Sequence, residues 1–335
     1  MAGILELAAA NLLSPMVLFF ALGLAAALAR SDLSIPEAVA KGMSIYLMMA
    51  IGFKGGAGVA AHGLDATLGL ALLAGVILSA IIPLVAFQIL IRASDLPRVD
   101  AAAVVAHYGS ISIVTFLAAN EALKISGIEA ESYMVAVAAA METPAIFVGL
   151  ILAQSGVAST SHGENGKAPV GNLDTTALRE VVLNGSIVVL VGSFVIGWVS
   201  GPAGLSSIEP FIVSPFKGVL CLFLLDMGLI AGRGLRDGSK QLSPSVVAFG
   251  LYMPLIGAAF GLVAGLLVGL STGGVALMIT LSASASYIAV PAAMRLALPE
   301  ARPAIYLPLS LGVTFPFNLV IGIPLYIALA QAVSG

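Results

Sequence analysis

Charged residues are scarce in this sequence. Only 9% of its 335 residues are Asp, Glu, Lys or Arg, whereas soluble domains carry about 25%. Hydrophobic residues make up 60%, and the mean hydropathy is +1.10. A soluble globular domain is therefore excluded, and we expect the lipid bilayer to surround the chain. The formal net charge of -3 gives no reason to expect a nucleic-acid partner.

Cysteine is scarce as well, and the loop that binds nucleotide phosphates is missing. Cys221 is the only cysteine, so no disulfide can form within the chain. No Gly-x-x-x-x-Gly-Lys-Ser/Thr pattern occurs, which argues against ATP-driven chemistry. His107 and Ser110 lie three residues apart with no third group to orient them, so we do not predict a hydrolase. We expect no cofactor, and no enzyme.

Long apolar runs, in contrast, fill the chain. A helix needs about 20 apolar residues to cross a bilayer, and ten segments qualify. We predict transmembrane helices at residues 12–29, 36–60, 65–92, 99–124, 132–154, 180–200, 209–233, 243–270, 273–298 and 303–333.

A Gly/Ser-rich stretch divides these ten helices into two sets of five. We assign residues 1–154 to a first repeat, 155–178 to a flexible cytoplasmic linker and 179–335 to a second repeat. Because five is odd, the second set enters the membrane from the opposite side. Similar motifs recur in order, with Gly56 matched to Gly232 at an offset of 176 residues. The predicted fold is an all-α integral membrane protein with two inverted five-helix repeats.

The distribution of basic residues predicts the orientation. In the ten-helix topology, Lys54, Lys124 and Lys217 fall on one side, and the other 11 of the 14 Lys and Arg residues fall on the opposite side. The side richer in Lys and Arg faces the cytoplasm. We therefore expect a multi-pass protein of the bacterial inner membrane, with both termini outside the cytoplasm.

Two predicted helices are interrupted by small polar residues. Because unpaired backbone groups are costly in lipid, irregular backbone survives only where it is buried in protein or lines a cavity. We interpret both interruptions as broken helices that cross at the midplane and aim positive N-terminal ends at a small anion of low charge. Ordinary close packing of Ser and Gly between helices is the alternative. The predicted anion-binding residues are Gly109, Ser110, Ile111, Ser112, Ser284, Ala285, Ser286 and Tyr287.

Glu142 is an acid within an apolar segment. Such a charge is costly in a membrane and marks a functional site by default. With Thr143 and the carbonyl group freed by Pro144, it offers oxygen ligands for Na⁺, or it carries a proton itself. A protonated acid bonded within the bundle is the alternative. Thr314 and Asn318 belong to the corresponding turn of the second repeat, and Asp226 either lines the cytoplasmic pathway or anchors two helices.

Three further polar residues lie near the outer ends of their predicted helices. Lys54 is expected to extend towards the membrane interface. Asn120 and Glu121 are expected in a solvated vestibule.

These motifs together resemble the sodium-dependent bicarbonate permeases, the SbtA-like transporters of cyanobacteria. The likeness covers nearly the whole chain and rests on Gly109-Ser110-Ile111-Ser112, Met141-Glu142-Thr143-Pro144, the serine cluster ending at Ser286 with Val290-Pro291 and Arg295, and Gly322-Ile323-Pro324-Leu325. The resemblance implies a homotrimer that carries bicarbonate with Na⁺ by elevator-like movement of a core domain against a gate domain, each built from both repeats. It also implies that the four serines at the breaks bind the anion.

Three positions depart from the family pattern. Tyr287 and Glu142 replace an acid and an Asp, and Asp226 lies one turn before the usual acid, near Ile230. These changes leave the ion stoichiometry, the anion and a PII-like cytoplasmic regulator open. We predict a Na⁺-driven symporter of a small anion, with bicarbonate preferred. A cation/proton exchanger that uses Glu142 and a non-transporting membrane sensor or scaffold are the alternatives.

Overall fold

The computed structural model describes residues 13–63, 66–154, 185–238, 242–287, 290–291, 293–294 and 298–334. The predicted linker 155–178 lies outside these residues. Within them, every regular element is a helix. The helices are α1 (Pro15–Leu28), α2 (Glu37–His62), α3 (Ala66–Ala93), α4 (Arg98–Gly109), α5 (Ile113–Ile125), α6 (Met134–Glu142), α7 (Pro144–Gln154), α8 (Gly185–Ser207), α9 (Glu209–Ile212), α10 (Phe216–Gly238), α11 (Pro244–Val268), α12 (Thr272–Ala283) and α13 (Pro303–Ser334).

Seven segments of the described chain are long and apolar enough to cross a membrane, and α1 and α12 are shorter apolar helices. In the interrupted segment made up of α4 and α5, 94% of the apolar stretch is buried inside the protein. In the other six segments this share is 33% to 61%. The interrupted segment therefore lies at the centre of the helix bundle. Wide π-helical turns interrupt α13 at Pro308–Thr314 and Asn318–Gly322. We had expected a turn with Thr314 and Asn318 in this segment, and the two residues lie in these wide turns.

One group of helices is built from two close crossings. At the crossing of α1 and α10, a Cβ atom on Gly23 would overlap the Leu225 carbonyl oxygen, and one on Gly228 would overlap that of Phe20. At the crossing of α2 and α8, a Cβ atom on Gly197 would overlap the Phe53 carbonyl oxygen. Gly56 likewise faces Phe194. Only glycine permits such an approach of two backbones.

The two crossings use the same pattern of contacts. Gly23 corresponds to Gly197 at an offset of 174 residues, and Gly56 corresponds to Gly228 at an offset of 172. The sequence pattern had matched Gly56 to Gly232, one helical turn further along.

A second group of helices encloses the two interrupted segments. Helix α3 packs on α4, α11 packs on α12, and α3 and α11 contact each other. The start of α4 is tied to the start of α13, because Asp100 accepts hydrogen bonds from the backbone N–H and Nε of Arg302, both at 2.8 Å. The first group meets this second group where α10 packs on the wide turn of α13 at Pro308–Thr314 and where α2 and α8 pack on α6.

Candidate functional site

The two interruptions, residues 110–112 and 284–286, lie against each other, and we call the place where they meet the crossing. The cap residues that follow α4 and α12, Ser110 and Ser284, have nearly the same extended backbone conformation, with φ −90°, ψ 159° and φ −86°, ψ 163°. The N–H of Ser286 donates to the His107 carbonyl oxygen at 2.8 Å. The N–H of Ser112 donates to Ser284 Oγ at 2.9 Å. The fold therefore brings the two predicted serine clusters together, and a backbone N–H group of each interruption donates a hydrogen bond to the other interrupted segment.

The serine hydroxyls differ in their partners. Ser112 Oγ caps α5, accepting from Thr115 N at 3.2 Å and from Thr115 Oγ1 at 2.9 Å. Ser284 Oγ donates to the Leu281 carbonyl oxygen at 2.9 Å. Ser110 Oγ is fully buried and has no hydrogen-bond partner among the described residues. A buried hydroxyl without a partner is costly, so Ser110 has an unused donor at the crossing.

The other predicted anion-site residues shape the crossing. A Cβ atom on Gly109 would overlap Pro83 of α3 and lie 2.8 Å from Ala145 Cβ of α7, so Gly109 allows three helices to meet. Ile111 and Ala285 are buried between the breaks. Tyr287 is buried, packs edge-to-face on Phe315 at 5.2 Å between ring centroids, and its hydroxyl faces the Ser112 side chain.

Glu142 is buried at the last position of α6, and Thr143 separates it from α7. The break in the backbone is stabilised by Ser79 of α3. Its hydroxyl donates to the Met141 carbonyl oxygen at 2.6 Å and accepts from Ala145 N at 3.2 Å. Because Ala145 also lies against Gly109, this turn adjoins the first interruption.

Two polar residues of α13 hold helix ends. Asn318 Nδ2 donates to the Ala283 carbonyl oxygen at 2.9 Å, and Asn318 Oδ1 accepts from the Tyr326 hydroxyl at 2.8 Å. Thr314 Oγ1 donates to the Gly250 carbonyl oxygen at 2.8 Å and accepts from the Tyr108 hydroxyl at 2.6 Å. The polar atoms of both side chains are thus engaged within the protein, directly beside the two breaks.

Asp226 is buried on α10, in the first group of helices. No hydrogen bond or ion pair among the described residues connects it to the crossing. In the same part of the chain, no group of three or more His, Cys, Asp or Glu residues could hold a metal ion. Any Na⁺ bound here would therefore need hydroxyl and carbonyl oxygens in addition to Glu142.

Two of the clefts formed by the described residues lie beside Tyr287 and Lys54. The Arg233 cleft, of about 550 Å³, lies between α10 and α13 and ends at Tyr287. The lysine cleft, of about 220 Å³, lies between α2, α5 and the start of α10, and is lined by Lys54, Lys124 and Asn120. Phe116 forms its inner wall.

Glu121 was predicted to lie in a solvated vestibule, and that expectation is wrong. Its side chain is only 2% exposed, and its carboxylate is held by Lys124 at 2.8 Å and by Lys217 of α10 at 3.0 Å. Lys54 lines the lysine cleft with its ammonium group 4.1 Å from the centre of the Phe216 ring. Lys54 therefore points into the boundary between helices. We had expected it to extend to the membrane interface instead.

Ser79, Tyr108 and Tyr326 escaped the sequence analysis, although all three are polar groups within apolar helices. Their location inside apolar helices could have identified them, because a polar group within a membrane needs a hydrogen-bond partner. The sequence also contains one Gly-x-Ser-x-Gly pattern, Gly269–Gly273. Its serine, Ser271, caps the start of α12, and its N–H and Oγ donate to the Glu131 carboxylate, so the hydroxyl is engaged in the helix cap although the residue is exposed.

Comparison with known proteins supplies the family. No curated protein matches the chain. Residues 15–331, however, match the Na⁺-dependent bicarbonate transporter superfamily. The match covers all the described transmembrane helices except the last three residues of α13. Transporters of this superfamily depend on Na⁺, which identifies Na⁺ as the coupling ion. They carry bicarbonate, which implies an anion substrate and a membrane environment. The chain belongs to the Na⁺-dependent bicarbonate transporter superfamily.

Proposed function

We propose that this protein is a secondary active symporter that carries bicarbonate, or a small oxyanion like it, together with Na⁺. The observation that carries the proposal is the contact between the two interruptions, where Ser286 N–H meets the His107 carbonyl and Ser112 N–H meets Ser284 Oγ. A break in a membrane helix is tolerated where it serves a site. Two breaks that support each other at the most buried segment favour one central site.

The chemistry of this crossing suits an anion. Helix α5 begins there, so the positive end of its dipole faces the crossing. Among the described residues Ser110 offers a hydroxyl without a partner, and Ser112, Ser284 and Ser286 are buried in the same two interruptions. Neither interruption contains Lys or Arg, which favours an anion of low charge. Within the proposal, Gly109, Ile111, Ala285 and Tyr287 form the walls of the site.

We assign the cation to the neighbouring turn. Glu142 and Thr143 offer the oxygen ligands, while Thr314 and Asn318 fix the helix ends that border the site. We assign Asp226, on α10, a role in coupling from outside the site, without direct contact to the cation. Na⁺ bound beside the anion would offset its charge, which gives a physical reason for binding both together.

The proposed architecture has ten membrane helices in two inverted repeats, residues 1–154 and 179–335. The matched crossings of α1 with α10 and of α2 with α8 support this duplication. We assign α1, α2, α8 and α10 to a gate domain and the remaining long helices to a core domain. Elevator-like movement, a homotrimer, an inner-membrane location with both termini outside, and a PII-like regulator are further parts of the proposal that follow from the family.

The test is uptake of labelled bicarbonate by liposomes that contain the purified protein. We expect an inward Na⁺ gradient to drive accumulation, and K⁺ in its place to abolish it. Ser286→Leu should eliminate uptake by filling the crossing. Ser206→Leu, on the exposed end of α8, is the matched control and should transport normally. Normal uptake by folded Ser286→Leu protein would refute the site.

A second candidate function is exchange of a cation for a proton at Glu142. The observation that favours it is that this carboxyl group is buried and forms no ion pair with any described residue. A buried acid without a cationic partner binds protons readily. A pH-sensitive dye inside the same liposomes would report Na⁺-driven proton movement without bicarbonate. Its absence, with bicarbonate uptake intact, would exclude exchange.

A further inference from the structure

Lys54 is a half-buried cation without a carboxylate partner. Its ammonium group lies over the ring of Phe216 at 4.1 Å, and none of the described acids forms an ion pair with it. Cation–π contact offsets only part of the cost of removing an ammonium ion from water. Glu121 interacts with Lys54 electrostatically, but its two carboxylate oxygens are held by Lys124 and Lys217.

The surroundings of Lys54 suit an anion. Asn120 and Ser132 line the lysine cleft beside it and offer neutral donor groups, and Lys124 adds a second ammonium group. Glu131 also lines the cleft, but its carboxylate is bonded to Ser271 at 2.6 and 3.0 Å. The volume of about 220 Å³ holds a small anion and several waters, since a water occupies about 30 Å³.

Helix α5 runs from the cleft to the crossing. Lys124, Asn120 and Phe116 follow one another at intervals of four residues, so each lies next to the one before it, and Ser112 caps the start of the helix one turn further on. Ser112 is part of the crossing, and Phe116, which is 1% exposed, closes the inner end of the cleft. Along α5, Phe116 is therefore the member of this row that lies between the cleft and Ser112.

We propose that the lysine cleft is a second anion-binding site, in which Lys54 and Asn120 hold a small monovalent anion before it passes Phe116 to the crossing. The inference rests on the proposed function for the identity of the anion, which is bicarbonate. The site itself rests on the unpaired ammonium group and the donors around it.

The first test is transport kinetics. Lys54→Gln should raise the KM for bicarbonate about 5- to 10-fold at low ionic strength, with little change in maximal rate, and the difference should shrink at high salt. Lys54→Arg should behave like the unaltered protein. Lys41→Gln is the matched control, because Lys41 is exposed on the same helix, about 20 Å away by helix rise. An unchanged KM, or a lower maximal rate at unchanged KM, would overturn the proposal.

The second test does not require transport. Thermal unfolding of purified Ser286→Leu protein, whose crossing is blocked, should still shift upwards with sodium bicarbonate relative to sodium gluconate. The shift should disappear when Lys54→Gln is added. If Lys54→Gln does not fold, Asn120→Ala serves in its place. Loss of all anion-dependent stabilisation in Ser286→Leu alone would refute a second site, whereas failure of uptake with this stabilisation intact would refute only the transport proposal.

Discussion

Asn318 provides a direct test of how the second broken helix is held. It bonds the last carbonyl group of α12, that of Ala283, and accepts from the Tyr326 hydroxyl. Asn318→Leu keeps the size of the side chain but removes both hydrogen bonds. Side-chain hydrogen bonds in membrane proteins contribute about 0.6 kcal/mol on average and about 1.7 at most. We therefore expect Asn318→Leu to lower the unfolding free energy by about 1–3 kcal/mol.

Tyr326→Phe removes only one of these bonds and should cost about 0.6–1.7 kcal/mol. Because both substitutions break the same Tyr326–Asn318 bond, the double variant should be more stable than the sum of the two losses predicts, by about the energy of that bond. The assay is equilibrium unfolding in mixed micelles as the fraction of denaturing detergent rises. Strictly additive losses, or full stability of Asn318→Leu together with weakened Na⁺ dependence, would refute the capping role and favour direct cation binding.

Two further predictions concern the coupling ion and the gate. Glu142→Gln should weaken the apparent affinity for Na⁺ by about 10-fold or more while the preference among anions changes little, whereas Glu209→Gln, on exposed α9, should leave Na⁺ dependence unchanged in the uptake assay. Gly228→Ala should lower the unfolding free energy by about 1–3 kcal/mol, because its Cβ atom would overlap the Phe20 carbonyl oxygen. Gly218→Ala on the same helix meets nothing within 4 Å and should be neutral or stabilise by up to about 1 kcal/mol. Equal stabilities of the two variants would contradict the close crossing.

The interruptions could be predicted from the sequence because Ser and Gly in the middle of an apolar helix have no explanation in lipid alone. The predicted helix of residues 99–124 corresponds to Arg98–Ile125, and the break falls within Gly109–Ser112 as expected. The family was also confirmed by comparison. These features depend on local composition and spacing, which a single sequence records.

The register between the two halves could not be fixed in the same way. A shift of four residues along a helix keeps nearly the same face, so pairing Gly56 with Gly232 or with Gly228 preserves the pattern. Only the contacts with Phe194 and Phe20 distinguish the two. The environment of Lys54 was hidden for a related reason, since its neighbours Lys124 and Phe216 come from distant parts of the chain.

The matched crossings differ in the charge of the residue that lies beside each of them. Lys54 comes two residues before the crossing glycine Gly56, and Asp226 comes two residues before the crossing glycine Gly228. Corresponding positions of two similar backbones thus carry opposite charges. Lys54 attracts an anion, whereas Asp226 is buried and its charge is opposed by Arg233, which lines the other cleft. The backbone contacts repeat, but the charges beside them do not, so an anion on the proposed route would meet a different electric field at each of the two crossings.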